Sequence, residues 1–379
     1  MKSINFLTIL VTILILSCQK EPTTPTPESQ PQDPQLAQIE TEVNAALAEL
    51  ENDYKTPPHY YGSTSRGTVH LPAGSMNGLA TAIAQAGVNG KVIVEKGDHW
   101  ESGTVTITHR VTIQGEDGAR LYFNVAGPGS SFPFPTINVL HPAIYIKNAH
   151  MVWIKNIEMM PQGAKGSMGI FLEKSRLVRI EECVIKGFQF GVWTSNNSNM
   201  VRLYDNEVVG YTELGVWGVV LESGKNHLLK GNYVASYATN IFASDEYGIM
   251  EDNEMEGGFQ GILLCTVQGN IQLPNGSMLK NAMPCKSWKF IKNVAHDNYW
   301  NYLVIDGANN NLLFRNEASN PGLYDVETAG ATSRFGAPSP ASFNNFVINP
   351  NNNIITKVCG EGNVALGGNK VNTSTDPCF

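Results

Sequence analysis

Acidic residues recur directly after one kind of short apolar run, and carboxylates at regular spacing can do acid-base chemistry. They are Glu173, Glu222, Asp245, Glu246 and Asp306. Glycoside hydrolysis requires paired carboxylates, and clustered carboxylates can bind calcium. We therefore take Glu222, Asp245 and Asp306 as candidate catalytic residues. The alternative interpretation is that these acidic residues only cap strands and solvate turns.

Aromatic and basic residues near these carboxylates could complete a site for a sugar polymer, because large aromatic faces can pack on sugar rings. The candidate substrate-binding residues are Trp193, Trp217, Phe242 and Trp300. Cleavage of a uronate also needs a base. The bases available in predicted turns are Lys225, His227, Lys292 and His296. We select His296 as a fourth candidate catalytic residue because its segment departs from the repeat described next.

A repeat in the low twenties of residues positions these side chains. One asparagine returns in the same short context, and Cys183 occupies its slot one step earlier. The asparagines are Asn206, Asn232, Asn253, Asn293 and Asn316. The steps from Cys183 are 23, 26, 21, 40 and 23 residues, and a second column of apolar runs lengthens at the same places. Such a period indicates a solenoid, with an insertion at about residues 266–284.

Each repeat contains two or three short runs rich in Val, Ile, Leu and Phe, bounded by Gly, Asn, Asp or Ser. Such runs predict strands and are too short for core helices. Because one repeat cannot bury its own apolar face, neighbouring repeats must stack with parallel strands. The sequence therefore predicts a parallel β-helix. In it, each buried asparagine bonds the next, and Cys183 is a small apolar replacement.

Alternation along the second column predicts which side chains leave the solenoid. Six apolar residues are predicted to point outward, namely Phe171, Trp193, Val220, Phe242, Leu263 and Val304, whereas Leu303 and Ile305 are predicted to point inward. A stripe of this size needs a cover. The possible covers are an N-terminal helix, the loop 128–142, the insertion or a second subunit. A further aromatic column is predicted to be structural and interior, comprising Phe188, Tyr211, Tyr237, Phe259 and Tyr299.

Over residues 75–330 the chain resembles the right-handed β-helix, or pectin-lyase-like, superfamily. Its first part is also typical of that superfamily, because MNGLATAIAQAG at 76–87 predicts a capping helix before strands that break at glycines. The resemblance implies an all-β, right-handed parallel β-helix solenoid over residues 55–379. The superfamily contains polysaccharide lyases, hydrolases, epimerases, esterases, adhesins and periplasmic accessory proteins, so the fold does not determine the activity.

The motifs of particular enzymes in that superfamily are missing. Pectate lyases carry a WIDH-type strand, and here Lys155 and Asn156 follow Trp153 and Ile154 in its place. The residue sets of polygalacturonases and alginate epimerases are also absent. No CxxC or His-Cys cluster predicts zinc. We therefore predict no metal site and no cofactor, and calcium, although compatible with the acidic residues, has no motif.

The N-terminus resembles a bacterial lipoprotein signal. Residues 1–17 are predicted to be a short apolar signal peptide, and Cys18, the first residue after its cleavage, is the predicted lipidation site. Residues 18–34 are rich in proline and predict an extended tether. The protein is therefore expected in the bacterial cell envelope, held to a membrane by its lipid, with the outer membrane as the expected location. Its membrane leaflet is left open.

Residues 35–54 have apolar positions at helical spacing and predict an amphipathic helix. It either docks on the solenoid or, as the alternative, mediates oligomerisation. Two cysteine pairs, Cys265 with Cys285 and Cys359 with Cys378, bracket chain segments that a disulfide would close. The formal charge of −8, without a run of Lys and Arg, excludes a nucleic-acid partner.

Three functional hypotheses follow. The first is a cell-envelope lipoprotein that binds polysaccharide on the outside of the β-helix, with cleavage of lyase or hydrolase type left undecided. The second is a non-catalytic envelope or adhesion protein. The third is a periplasmic accessory factor similar to those that serve copper-enzyme assembly, although no Met or His cluster supports metal transfer.

Overall fold

The computed structural model describes residues 34–55, 67–125, 141–163, 166–211, 215–265, 285–305, 307–328, 342–348, 355–359, 361–366 and 370–371. Within these residues the strands form three sheets, and every strand pairs in parallel with the corresponding strand of the next coil. This arrangement confirms the predicted all-β parallel β-helix. No helix of the described part is long and apolar enough to span a membrane.

We call the three sheets A, B and C. Sheet A contains Thr68–Leu71, Gly90–Val94, Val111–Gly115, Trp153–Lys155, Arg179–Glu181, Arg202–Tyr204, Leu228–Lys230, Ile249–Glu251, Lys289–Ile291, Leu312–Phe314, Phe346–Ile348 and Val364–Leu366. Sheet B contains Gly97–Glu101, Ala119–Phe123, Glu158–Pro161, Val184–Lys186, Glu207–Val209, Tyr233–Ala235, Glu254–Glu256, Val294–His296 and Glu317–Ser319. Sheet C contains Val105–Ile107, Pro142–Lys147, Gly166–Glu173, Phe188–Ser195, Gly215–Lys225, Tyr237–Glu246, Gln260–Leu264, Trp300–Val304, Tyr324–Thr328, Ile355–Val358 and Lys370–Val371.

The asparagine column lies at the turn between sheets A and B and forms a continuous hydrogen-bonded ladder. Each Nδ2 donates to the Oδ1 of the asparagine one coil later. The distances are 2.9 Å for Asn206 to Asn232, 2.7 Å for Asn232 to Asn253, 2.8 Å for Asn253 to Asn293 and 3.0 Å for Asn293 to Asn316. Cys183 continues the column as a fully buried thiol, and its backbone N–H donates to Asn206 Oδ1.

A second ladder at the turn between sheets C and A was not predicted. Asn311 Nδ2 donates to Asn345 Oδ1 at 2.9 Å, and Asn345 Nδ2 donates to Asn363 Oδ1 at the same distance. Both ladders pair amide groups that would otherwise be unsatisfied inside the solenoid. Turns of the coil are therefore held by side chains as well as by backbone.

Two helices precede or cap the solenoid. The helix Leu79–Ala86 buries Leu79, Ala82, Ile83 and Ala86 against the first coils, which confirms the predicted cap. The helix Pro34–Lys55 begins one residue before the predicted amphipathic segment and ends one residue after it, and its buried residues include Val43 and Leu50.

The last part of this first helix docks on sheet A. Asp53 Oδ2 lies 3.0 Å from Arg202 Nε, and Tyr204 donates its hydroxyl to Asp53 Oδ1 at 2.9 Å. Arg179 donates to the backbone carbonyls of Asp53 and Tyr54. The docking alternative is thus supported for Val43–Lys55. A chain that starts at residue 56 would lose these contacts, so experiments on the solenoid should keep the helix.

We predict that Asn253→Ala lowers the free energy of unfolding by about 3 kcal/mol. The substitution removes the Nδ2 bonds to Asn293 and to the Leu229 carbonyl and leaves donors of Asn232 without their acceptor. Urea unfolding followed by circular dichroism measures the change. Asn124→Ala, at an exposed position outside the ladder, is the control and should change stability by less than about 0.5 kcal/mol. Equal losses in both variants would contradict a structural ladder.

Candidate functional site

The outward face of sheet C carries an apolar cluster of its own, separate from the solenoid core. It includes Phe171, Trp193, Val220, Phe242, Leu263 and Leu303. Five of the six residues predicted to point outward are therefore confirmed. The sixth was wrong, because Val304 belongs to the core and Leu303 and Ile305 belong to the outward cluster. The prediction aligned Ile262 with Leu303, whereas in the structure Ile262 pairs with Tyr302. The strand is therefore shifted by one residue from its predicted register.

This stripe is shielded from solvent. Trp193 is 0% exposed, Phe242 5% and Trp300 8%, whereas Trp217 is half-buried. The rings pack on each other, with centroids 5.5 Å apart for Trp193 and Trp217 and for Trp217 and Phe242. The docked part of the first helix lies on sheet A and does not provide the cover. The other predicted covers, loop 128–142 and insertion 266–284, lie outside the described residues except for Pro142 and His141.

Beside the stripe, sheet C carries a row of buried polar side chains, which we call the carboxylate row. It consists of Glu173, Ser195 and Glu222. Glu173 pairs with Ser195 on the next coil, and Glu222 follows on the coil after that, paired in turn with Ser244. Adjacent coils are about 4.8 Å apart, so two coils separate the Cα atoms of Glu173 and Glu222 by about 10 Å.

Three carboxylates of this face each accept a hydrogen bond from an aromatic side chain. Trp193 Nε1 donates to Glu222 Oε2 at 3.0 Å, and the Tyr145 hydroxyl donates to Glu173 Oε2. Farther along the same sheet, Trp300 Nε1 donates to Glu327 Oε2 at 2.8 Å. Sequence analysis missed Tyr145, Ser195 and Glu327. The pairing of an indole or phenol with a carboxylate on the next coil, 27–29 residues along the chain, has no local signal.

Glu222 is the most perturbed member of the row. Its side chain is 1% exposed, and its Oε1 has no hydrogen-bond partner among the described residues. Burial raises its pKa from the ordinary 4.5 to about 8, opposed by the Trp193 hydrogen bond and reinforced by the charge of Asp245. Ser195 Oγ is also buried without a described partner. A carboxyl group that keeps its proton at neutral pH can donate it.

Asp245 does not join this row. Asp245 is 0% exposed, with Oδ2 at 2.8 Å from His227 Nε2 and Oδ1 accepting from Trp288 Nε1 at 2.9 Å. Its burial raises its pKa, and the charge and hydrogen bond of His227 oppose that shift. The side chain lies against the core residue Trp288 and is enclosed by structural partners. Asp306 lies outside the described residues.

His296 lies on sheet B and is not brought together with Glu222. Its Nε2 is 3.0 Å from Glu254 Oε1, and its Nδ1 is 2.8 Å from Asp297 Oδ2. These two hydrogen bonds, the one to Asp297 first, raise the pKa of the imidazole. The three described candidate catalytic residues, Glu222, Asp245 and His296, therefore do not form one site, and all four catalytic roles stay predictions.

The aromatic column predicted to be interior combines two different positions. Phe188 and Tyr237 are fully buried and belong to the core. Phe259 and Tyr299 instead are 38% and 39% exposed and stack with centroids 5.1 Å apart. Because Thr239 pairs with Gln260, Phe259 occupies a position one residue after that of Tyr237 on the preceding coil. The prediction of an interior position was wrong for these two residues.

The cysteine predictions have different outcomes. Cys285 is fully buried, and no disulfide joins it to Cys265, so that predicted bridge is wrong. Cys183 is a buried thiol, as predicted, and burial holds its pKa well above the usual value, at about 12. Cys359 is disulfide-bonded. Its predicted partner Cys378 and the lipidation site Cys18 lie outside the described residues.

One family model matches the sequence, with the description periplasmic copper-binding protein (NosD), over residues 98–321. This range is more than half of the chain. A comparison with curated proteins finds no match.

Three solved structures illustrate the structural similarity. The A-module of the mannuronan C-5 epimerase AlgE4 of Azotobacter vinelandii has 13% identity and a TM-score of 0.51, with 78% of this chain and 87% of that chain covered. The family 28 exopolygalacturonase of Yersinia enterocolitica has 11% identity and a TM-score of 0.53, covering 82% and 65%. The Dettilon tailspike protein has 14% identity and a TM-score of 0.48, covering 80% of this chain and 66% of that chain. At such identities, the epimerase and the exopolygalacturonase, with TM-scores above 0.5, show a shared fold alone.

We predict that Glu222 makes the protein less stable as the pH rises. Its folded pKa is raised, so the neutral form favours folding below the unfolded pKa, and that contribution is lost as the pH rises through about 8. Between pH 5 and pH 8, Glu222→Gln should become more stable relative to the wild type by about 3 kcal/mol. Urea midpoints at the two pH values measure the difference.

The control for this experiment is Glu207→Gln, because Glu207 is 41% exposed on sheet B and pairs with Lys186. This variant should keep the pH dependence of the wild type. A parallel pH dependence of Glu222→Gln and wild type would show that Glu222 is ionised in the folded protein.

Proposed function

The chain belongs to the NosD family, a family of parallel β-helix proteins, and we propose that it is a cell-envelope protein that binds polysaccharide on the outward face of sheet C. The observation that carries this proposal is Glu222. A buried carboxyl group with a raised pKa and one oxygen that has no hydrogen-bond partner in the described part of the chain, set among aromatic rings, is costly for stability and useful for binding or proton transfer. Trp193 and Trp217 supply the aromatic surface beside it.

The same face has the components of glycosidic bond cleavage. Glu222 would act as the proton donor to the leaving oxygen, and Glu173 would supply the second carboxyl group. Their Cα atoms are about 10 Å apart, and inverting hydrolysis would require their carboxyl groups to lie about 6.5–9.5 Å apart, with a water between them. Ser195 lies between them, and its hydroxyl could orient that water. The polysaccharide-acting neighbours, an epimerase and an exopolygalacturonase, are compatible with this chemistry.

The burial of the row sets a condition on this proposal. Trp193, Glu173 and Glu222 are each at most 3% exposed, so a polymer can reach them only when this face opens. We therefore expect substrate binding to be coupled to a movement that exposes Trp193. The edge of the site is more accessible, because Trp217 and Tyr145 are half-buried.

We also propose that the protein is lipid-anchored through Cys18 and faces the periplasm or the cell surface from the outer membrane. The signal-like residues 1–17, the proline-rich tether and the periplasmic description of the family support this location. Cys18→Ser should abolish incorporation of radiolabelled palmitate and release the protein from the membrane fraction. Unchanged labelling would contradict lipidation at Cys18.

Binding and cleavage are tested together with a polysaccharide panel that includes alginate and polygalacturonate. We expect the full chain to bind one member of the panel, and Glu222→Gln to bind it but to release at least about 100-fold less product, since general acid catalysis contributes about 10²–10⁴-fold. Trp217→Ala should weaken binding at least tenfold. Affinity electrophoresis measures binding, and a reducing-sugar assay measures release.

The matched control is Trp153→Ala, because Trp153 is a half-buried tryptophan on sheet A. It should leave binding and release unchanged. Binding without release in the wild type would restrict the function to recognition, as in the adhesion hypothesis. No binding to any polymer, or an equal loss in both tryptophan variants, would overturn the proposal for sheet C.

A further inference from the structure

A second group of charged side chains converges on the outward face of sheet B. Glu254 and Glu256 are two residues apart on one strand, so both leave the solenoid while Met255 between them is buried in the core. His296 lies on the next coil, where it pairs with Glu256 in the parallel register. Strand alternation and coil stacking therefore bring one imidazole and two carboxylates together.

The geometry of the three side chains suits a single ion. One donor atom from each of Glu254, Glu256 and His296 lies within 4.8 Å of the other two. A metal bound at about 2.0–2.2 Å from each donor holds its ligand atoms about 3–4 Å apart, so only small side-chain movements are needed. Glu254 is exposed and the other two residues are half-buried, so an ion can enter from solvent.

Neighbouring groups already orient two of the three ligands. His296 Nδ1 lies 2.8 Å from Asp297 Oδ2, which leaves Nε2 as the nitrogen that faces Glu254. The Tyr233 hydroxyl donates to Glu256 Oε2. A carboxylate behind the imidazole is the usual support of a metal-binding histidine, because it fixes the ring and its tautomer.

The donor types select the kind of ion. Imidazole with carboxylates suits Cu²⁺ or Zn²⁺, and Cu²⁺ binds such sites more tightly than the other divalent first-row metals. Ca²⁺ prefers oxygen ligands alone. Cu⁺ prefers sulfur, and the described thiols Cys183, Cys265 and Cys285 are all buried and do not lie on this face. The copper in the family description therefore fits this cluster as Cu²⁺ and not as Cu⁺.

We propose that Glu254, Glu256 and His296 bind one divalent transition-metal ion, Cu²⁺ in preference to Zn²⁺, on sheet B. This site is separate from the carboxylate row on sheet C and does not depend on polysaccharide binding. The proposal also changes the sequence-based expectation of no metal site. Glu254 and Glu256 precede the insertion and His296 follows it, so only the fold brings the three residues together.

The test is metal binding by the purified full chain, with CuSO₄ and ZnSO₄ as the probes. Equilibrium dialysis followed by elemental analysis should give one tightly bound ion per chain, and electron paramagnetic resonance of the Cu²⁺ form should show coupling to one imidazole nitrogen. His296→Gln should weaken Cu²⁺ binding at least tenfold and abolish the nitrogen coupling. Glu256→Gln should also weaken binding, which keeps the test decisive if the histidine variant is unstable.

His70→Gln is the matched control, because His70 is an exposed histidine with Nδ1 at 3.3 Å from Glu95 and has one carboxylate neighbour instead of two. It should bind Cu²⁺ as the wild type does. The proposal is wrong if the wild type retains no Cu²⁺ after dialysis, if His296→Gln retains the same affinity and nitrogen coupling, or if Ca²⁺ displaces Cu²⁺ at equal concentration.

Discussion

The structure depends on one constraint: the backbone of every coil must pair with the coil before and after it, about 4.8 Å away. Parallel pairing fixes which residues stack, so a side chain repeated at one position becomes a column. Where a column enters a turn, its polar groups are removed from water and must bond each other. The ladder from Asn206 to Asn316 meets this demand along the turn between sheets A and B. A coil therefore cannot shift without breaking both its strands and its ladder.

The same constraint explains what the sequence could predict. The solenoid, the asparagine ladder and the capping helix follow from periodicity, because each column repeats the chemistry of its environment. One error arose where the period was counted across the insertion. The asparagine column takes a step of 40 residues, from Asn253 to Asn293, and the structure takes the same step from Ile262 to Tyr302. Counting 41 residues for the apolar column exchanged the positions of Leu303 and Val304.

The candidate site was only partly predictable, because a site on a solenoid is made across columns. Glu222 and Trp193 were both selected from the sequence, but their hydrogen bond joins different rows and coils. Asp245 was grouped with Glu222, yet the coil partner of Glu222 is Ser244. Asp245 follows Ser244 on the strand and therefore points to the opposite face of the sheet. There it is enclosed by His227 and Trp288. Alternate positions of a strand point to opposite faces of the sheet, and this alternation distinguishes a candidate site residue from a structural one. A list of acidic residues does not show it.

The distribution of buried charge supports the outward face of sheet C as the proposed site. Asp245 has both the His227 imidazole at 2.8 Å and the Trp288 indole as close partners, whereas among the described residues the Glu222 carboxyl group has a hydrogen bond from the Trp193 indole alone. A local arrangement that lowers stability and stabilises no other part of the structure is expected at functional positions. On sheet C, three coils repeat the pairing of a buried carboxylate with an aromatic donor, at Glu173, Glu222 and Glu327. The long ladders and the apolar core make such costs tolerable, because losses at one outward row are spread over many cooperating coils.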